Sequence, residues 1–293
     1  MGFGDVSNCN ERGGQAEACP TVGAGHEHNV GRASARPLRA IAFDLWETLI
    51  TDTKAASRAQ EALRLQRMAA VLDTTPESIH DAYRNVWHHC QELYWSRDED
   101  IPCRRQVEHF LELAQIDADD ETIDQLEHAY AMAAVDELPS VVDGADHVIA
   151  SLKQRGYRIG LISNTGRTPG YALRQILDRL GLAQHMDAMV FSNEHGECKP
   201  RRSIFEALRA SLGVDYEEMM FVGDNLYVDV HGAKSCGMFA VHFIPPQRGT
   251  AIAPPVDHGL EIVADATITH LRQLSDFCDV AHASGGAAEA RSR

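Results

Sequence analysis

Three carboxylates and one ammonium stand at the points of this 293-residue chain where a chemical step could occur: Asp44, Asp224, Asp229 and Lys199. Asp44 closes the apolar run Ile41-Ala-Phe. A carboxylate at the end of a buried parallel strand lies at the rim of the sheet, where α/β proteins bind ligands, and there it can act as a nucleophile. Asp224 follows Phe221-Val-Gly, and Asp229 stands five positions further on. That spacing at a strand-to-helix turn suits a hard cation with oxygen ligands. Lys199, before Pro200, is a point charge fit to neutralise a nucleophilic carboxylate or a transferring phosphoryl group. Thr48 and Ser163 add hydroxyls near predicted strand ends, and Ser163 opens the polar turn Asn164-Thr165-Gly166. Each residue also has an ordinary use: a cap or turn for Asp44 and Ser163, a dipole-favoured first-turn acid for Asp229, a solvated cation for Lys199. Four motifs in order, each at the end of a predicted strand or the start of a helix, favour a site.

Such residues meet only if strands carry them to one edge. Leu38 to Ile50 reads as a strand. Residues 54–138 carry a helical period and no convincing strand. Leu63, Leu65, Met68, Ala69 and Leu72 form one stripe, and Thr75-Pro76-Glu77 reads as cap, first-turn proline and acid of a second helix. Val107, Phe110, Leu111 and Leu113 mark a third. Asp117 is expected to cap a fourth, with Asp119 and Asp120 in its first turn. From Val141 onward apolar strands (Tyr157–Ser163, Ala188–Ser192, Met219–Asp224, Met238–Phe243) alternate with helices near 144–155, 168–181, 201–212 and 227–236. Alternation with fully apolar strands implies a doubly wound α/β core, a parallel sheet covered on both faces. The expected layout is a core over 37–53 and 139–280, an all-helical cap over 54–138, and loose tails at 1–36 and 281–293. In the first tail Cys9, Cys19, His26 and His28 match no zinc spacing.

The motifs Asp44-Leu-Trp-Glu-Thr48, Leu161-Ile-Ser-Asn-Thr165, Cys198-Lys-Pro200 and Gly223-Asp-Asn225 with Asp229 resemble those of the haloacid dehalogenase-like hydrolase superfamily, and those of its members with a helical cap at this insertion point have the same layout. The resemblance covers residues 38–277. It implies that Asp44 attacks the substrate to form an aspartyl intermediate while its second oxygen binds Mg²⁺. It implies further metal contacts from the Trp46 carbonyl and Asp224, with Asp229 orienting the ion or Lys199. It also implies that Ser163, with the backbone of its neighbours such as Asn164, and Lys199 hold the phosphate. The run Gly232 to Gly237 matches the family pattern and is expected to pack a helix on the sheet.

The first motif departs from the pattern. Trp46 stands where most phosphatases of the superfamily have the aspartate that protonates the leaving oxygen and later activates water. An indole donates one N–H and accepts nothing, so about 10²–10⁴ in rate is at stake. Four explanations stay open: a good leaving group, a proton from Glu47 or a cap residue, carbon–halogen cleavage, or lost catalysis. Haloacid dehalogenases share an aromatic residue at this position. They lack the metal-binding Gly-Asp kept here as Gly223-Asp224, and their water-orienting aspartate falls on Val228. Glu47 also replaces a glycine usual in both groups. A Mg²⁺-dependent phosphatase of a small phosphorylated compound therefore ranks first, ahead of a non-catalytic binding protein and a 2-haloacid dehalogenase.

The net charge of −16 argues against a nucleic-acid or acidic-membrane partner. A phosphorylated substrate remains compatible through a cation. Seven cysteines without a C-x-x-C pair fit a reduced, cytoplasmic setting. No apolar run is long enough to span a bilayer, and a monomer or homodimer is expected. Tyr83, Trp87 and Tyr94 share a helix face, a stripe more often bundle core than substrate wall. Of His88 and His89, at most one should face the cleft.

Overall fold

The computed structural model of the chain describes residues 37–246, 259–275 and 277. The expected tails at 1–36 and 281–293 lie outside the described residues, and Cys9, Cys19, His26 and His28 with them.

The first strand, β1 (Ala40–Phe43), is buried at every position. Its alternation splits the core. Ile41 and Phe43 join one apolar cluster with Leu161 and Leu173; Ala40 and Ala42 join another with Ile162, Phe205 and Phe221. A strand apolar on both sides is what a sheet covered on both faces demands.

The run from Leu38 to Ile50 is not one strand. The chain leaves the sheet after Phe43 and folds over Leu45, whose carbonyl accepts from Leu49 N (2.8 Å) and Ile50 N (3.0 Å). Leu45 and Leu49 stay fully buried in this turn, so their apolarity imitates strand. Glu47 takes the left-handed conformation at φ 60°, which glycine adopts without a Cβ penalty.

The chain then enters a short ribbon. β2 (Ile50–Thr51) is followed by four helices, α1 (Lys54–Val71), α2 (Pro76–Leu93), α3 (Cys103–Ala114) and α4 (Asp120–Asp136), and by β3 (Ser140–Val141). β2 and β3 pair antiparallel, Ile50 opposite Val141, so both ends of the helical stretch leave the sheet at one place. Thr53 caps α1 by accepting from Ala56 N at 3.1 Å. α4 is capped by Asp119, which accepts from Thr122 N at 2.9 Å, and not by Asp117. Asp119 stands directly before the first helical residue in extended conformation, and only from there does a carboxylate reach the free N–H groups of the first turn.

The remaining chain alternates as expected: α5 (Ala145–Gln154), β4 (Arg158–Ser163), α6 (Gly170–Arg179), β5 (Ala188–Phe191), α7 (Ser192–His195), α8 (Arg202–Leu212), β6 (Met219–Gly223), a π-helical turn over Leu226–His231, α9 (Gly232–Cys236), β7 (Phe239–Phe243) and β8 (Ala266–Ile268). Six strands form one sheet in the order β5-β4-β1-β6-β7-β8, with every neighbouring pair parallel. β8 was not expected; it is three residues long and only Ile268 is buried, too little for an apolar pattern. α9 packs on the sheet as expected, Ala233 and Cys236 joining Ala40, Phe221 and Ala240 in one buried cluster, and Gly232 lets it approach α8 as well, since a Cβ there would lie 2.8 Å from Phe205 and 3.2 Å from the Pro200 backbone.

Candidate active site

β4, β1 and β6 lie side by side, so their carboxyl ends share one edge. Asp44 follows β1, Ser163 ends β4, and Gly223 ends β6 just before Asp224. The chain lays β4 and β5 on one side of β1 and then crosses to β6 on the other. Doubly wound sheets bind ligands at such a reversal.

Lys199 is the centre of the edge. Its side chain is 1% exposed, and its ammonium donates to Asp44 Oδ1 at 2.5 Å, Asp229 Oδ1 at 2.7 Å and the Ile162 carbonyl at 3.1 Å. Three donors thus find three acceptors. The Lys199 backbone is held by the Asn164 amide: Lys199 N donates to Asn164 Oδ1 (2.9 Å) and Asn164 Nδ2 donates to the Lys199 carbonyl (3.1 Å). Thr48 Oγ1 donates to Asp44 Oδ2 at 3.1 Å, so both Asp44 oxygens are fixed. Asp229 Oδ2 accepts from Asn225 N at 3.0 Å. This carboxylate lies so close to Gly223 that any Cβ there would meet it at 2.4 Å.

Burial pushes the Asp44 carboxyl up to about 6, against the pull of the Lys199 ammonium. It therefore ionises within reach of neutral pH. Burial alone would lower Lys199, but Asp229 and Asp44 outweigh it and hold its pKa above the ordinary lysine value. Asp44, Asp224 and Asp229 are all buried, and one oxygen of each lies within 4.8 Å of the others. One ammonium bonded to two of these three carboxylates leaves an excess of negative charge, a donor set that fits a hard divalent cation.

A cavity of about 620 Å³ opens over this edge, lined by Asp44, Trp46, Asn164, Lys199, Asp224 and Asp229. Thr48 and Ser163 are fully buried and do not line it. Thr48 touches Asp44 instead, and the Ser163 hydroxyl lies 3.5 Å from the Asn164 carbonyl. Glu47 is also buried and off the cavity, and its Oε1 accepts from Thr51 Oγ1 at 2.9 Å.

The opposite wall comes from the helices. Tyr83, Trp87 and Trp95 line the cavity with Arg64 and Arg167. The stripe expected to be bundle core is therefore divided. Tyr83 and Trp87 face the cavity, while the Tyr94 hydroxyl meets His109 Nε2 at 3.0 Å. Neither His88 nor His89 is among the lining residues. Asp100, between α2 and α3, is a residue that motif reasoning missed. It is buried, its Oδ1 accepts from Trp95 Nε1 and Ile101 N (both 2.8 Å), and its Oδ2 accepts from the hydroxyls of Thr165 (3.1 Å) and Ser192 (2.5 Å). Around it the segment pairs with the loop that carries Lys199: Asp100 N donates to the Gly196 carbonyl (3.0 Å) and Cys198 N to the Asp98 carbonyl (2.8 Å). Its only sequence signal is a charged turn between helices.

Known proteins match the chain over much of its described length. A glyceraldehyde 3-phosphate phosphatase of Methanopyrus kandleri is 30% identical over 210 residues, covering 70% of this chain and 83% of that protein. One from Pyrococcus abyssi is 36% identical over 96 residues, covering 33% of this chain and only 39% of that protein's length. The solved structure of a 2-haloacid dehalogenase from Pseudomonas syringae shares the fold, with a TM-score of 0.58 and 24% identity over 82% of this chain and 97% of that one. The family model of haloacid dehalogenase-like hydrolases matches residues 38–237, a span that holds every residue of the site, and the chain belongs to that family.

Proposed function

We propose that the chain is a Mg²⁺-dependent phosphatase of a small phosphorylated compound, working through an aspartyl-phosphate on Asp44. The observation that carries this is the buried ammonium of Lys199 set between Asp44 and Asp229, with Asp224 beside them. The phosphatase names of the relatives add support.

Asp44, oriented by Thr48 and Lys199, attacks phosphorus, and the bond to the leaving oxygen breaks, the oxyanion taking its proton from solvent. Water then attacks the phosphorus of the aspartyl-phosphate, the bond to Asp44 breaks, and inorganic phosphate leaves with the carboxylate restored and the water's surplus proton returned to solvent. Lys199 offsets the negative charge gathering around the transferring group. Asp44, Asp224 and the Trp46 carbonyl would hold Mg²⁺, with Asp229 placing Lys199, and the ion would supply further charge neutralisation. Trp46 lines the cavity but cannot protonate the leaving oxygen.

The consequence is a steep dependence of rate on leaving-group pKa. Aryl phosphates should be cleaved far faster than alkyl phosphates. Trp46→Asp should help alkyl esters most, by about 10-fold or more, within the range of general acids. Glu47→Gln should leave the profile unchanged, since Glu47 faces Thr51 and not the cavity. The assay is a panel of aryl phosphates, alkyl phosphates and 2-haloacids, with Mg²⁺ and with EDTA, and a melting curve for each variant. Halide release indifferent to EDTA overturns the phosphatase. A shallow profile that becomes steep in Asp52→Asn shows that Asp52, another lining carboxyl, supplies the proton, and overturns the acid-free mechanism alone.

A further inference from the structure

The cavity is lined by two further cations that the proposed phosphoryl chemistry does not use. Arg64 of α1 is 4% exposed; its Nε donates to the Tyr130 carbonyl at 2.6 Å and its Nη1 to the Tyr83 hydroxyl at 3.1 Å. Arg167, in the loop after β4, donates Nη1 to the Tyr83 carbonyl (3.1 Å) and the Tyr130 hydroxyl (3.2 Å). Its guanidinium lies over Tyr83, 4.3 Å from the ring centroid, and 5.3 Å from that of Trp87. The two arginines thus come from different elements and converge on the same pair of tyrosines.

Every partner of these guanidiniums is a neutral oxygen or a ring face. Among the described residues, neither has a carboxylate within 4.0 Å, whereas most other arginines with a charged partner lie at the surface. The acids that the helical stretch and its connections bring to the cavity are Asp52, Glu61, Asp98 and Asp100; Asp100 is taken up by Trp95, Thr165, Ser192 and the Ile101 N–H. Asp52 is bonded to Gln60 at 3.1 Å, and Glu61 is half-exposed. Two cations kept from contact neutralisation at the edge of a cavity are costly without a counter-ion. Guanidinium N–H groups stacked on rings present their edges for bidentate bonds to planar or tetrahedral oxyanions. The cavity, at about 620 Å³, is of the size that encloses an organic ligand rather than a bare phosphate.

We propose that Arg64 and Arg167 bind a second anionic group of the substrate, a carboxylate or a second phosphoryl, carried by the part that leaves, with its carbon skeleton against Tyr83, Trp87 and Trp95. This rests on the phosphatase proposed above, and its test is chosen not to need turnover. Three non-hydrolysable ligands are titrated calorimetrically into the full chain with Mg²⁺: 4-carboxybenzylphosphonate, its neutral amide 4-carbamoylbenzylphosphonate, and the para bis(methylphosphonate) of benzene. The charged ligands should bind about 10–100-fold more tightly than the amide, the range of a charge-assisted contact. The better of the two tells which anion the site takes. In Arg167→Met the preference should shrink to below about 3-fold, and Arg167→Lys should restore part of it, since charge persists while the fork is lost. Arg64→Met adds a second arm, with its fold checked by melting because Arg64 is buried against α4.

Equal affinity for acid and amide in the unaltered protein overturns the subsite without any variant. So does a preference that survives both methionine substitutions, or failure of all three ligands to bind. Phosphate release from simple esters with no anion preference refutes the subsite alone. An arginine-dependent preference without phosphate release from any ester refutes the phosphatase and leaves the anion subsite in place.

Discussion

Asp44→Asn should lower phosphate release from aryl and alkyl esters alike by about 10⁴–10⁶-fold, the scale on which removing a nucleophile leaves only residual catalysis. An amide is a very poor nucleophile, so a good leaving group cannot rescue the variant. The substitution keeps the shape of the side chain and relieves a carboxyl that burial already pushes up, so the fold should persist. Acid quenching during turnover with labelled ester adds a direct reading: label should remain on the unaltered protein and be absent from Asp44→Asn. A variant within about 10-fold of the parent rate, outside the loss expected for a nucleophile, would remove Asp44 from the mechanism.

Lys199→Met should cost about 3–5 kcal/mol of stability, the scale for breaking a buried ion pair by removing one partner. One ammonium serves two carboxylates, and the Asp44 and Asp229 side chains are 11% and 1% exposed. Removing it leaves both without their cation. The loss should appear as a lower urea midpoint with little change in slope. Adding Asp229→Asn to Lys199→Met should return part of it, because the two sites share one network and their effects cannot add. A midpoint shift worth less than about 1 kcal/mol, the scale of an exposed pair, would mean that the network relaxes freely.

Much of this architecture is legible residue by residue. Phe43, Ile162 and Val222 sit in apolar strands that stop at polar residues, and parallel strands that stop together must gather Asp44, Ser163 and Asp224 at one rim. Lys199 could be tied to them only by motif order; its distance from Asp44 along the chain carries no physical signal. What stayed hidden has definite causes. Leu45 and Leu49 are buried in a turn, and burial alone does not separate turn from strand. Ser163 and Asn164 are adjacent, yet the hydroxyl turns into the fold while the amide holds the Lys199 backbone. Arg64, Tyr83 and Arg167 meet across separate elements, and helical periodicity describes one element at a time. The Trp87 ring reads as core because a cavity wall and a core share the same apolar face.

The backbone bonds between residues 98–100 and 196–198 make the position of the ammonium conditional. The helices and the sheet join covalently only through the ribbon of β2 and β3, a natural pivot. Swinging the helices about it would draw Asp98 and Asp100 away and either break their bonds to Cys198 and Gly196 or pull the loop after them. If the loop follows, Lys199 is drawn off Asp44. If the bonds break, Asp100 loses its hydroxyl donors from Thr165 and Ser192. On the mechanism proposed above, access to the cavity and the setting of Lys199 beside Asp44 are tied together through these few backbone bonds.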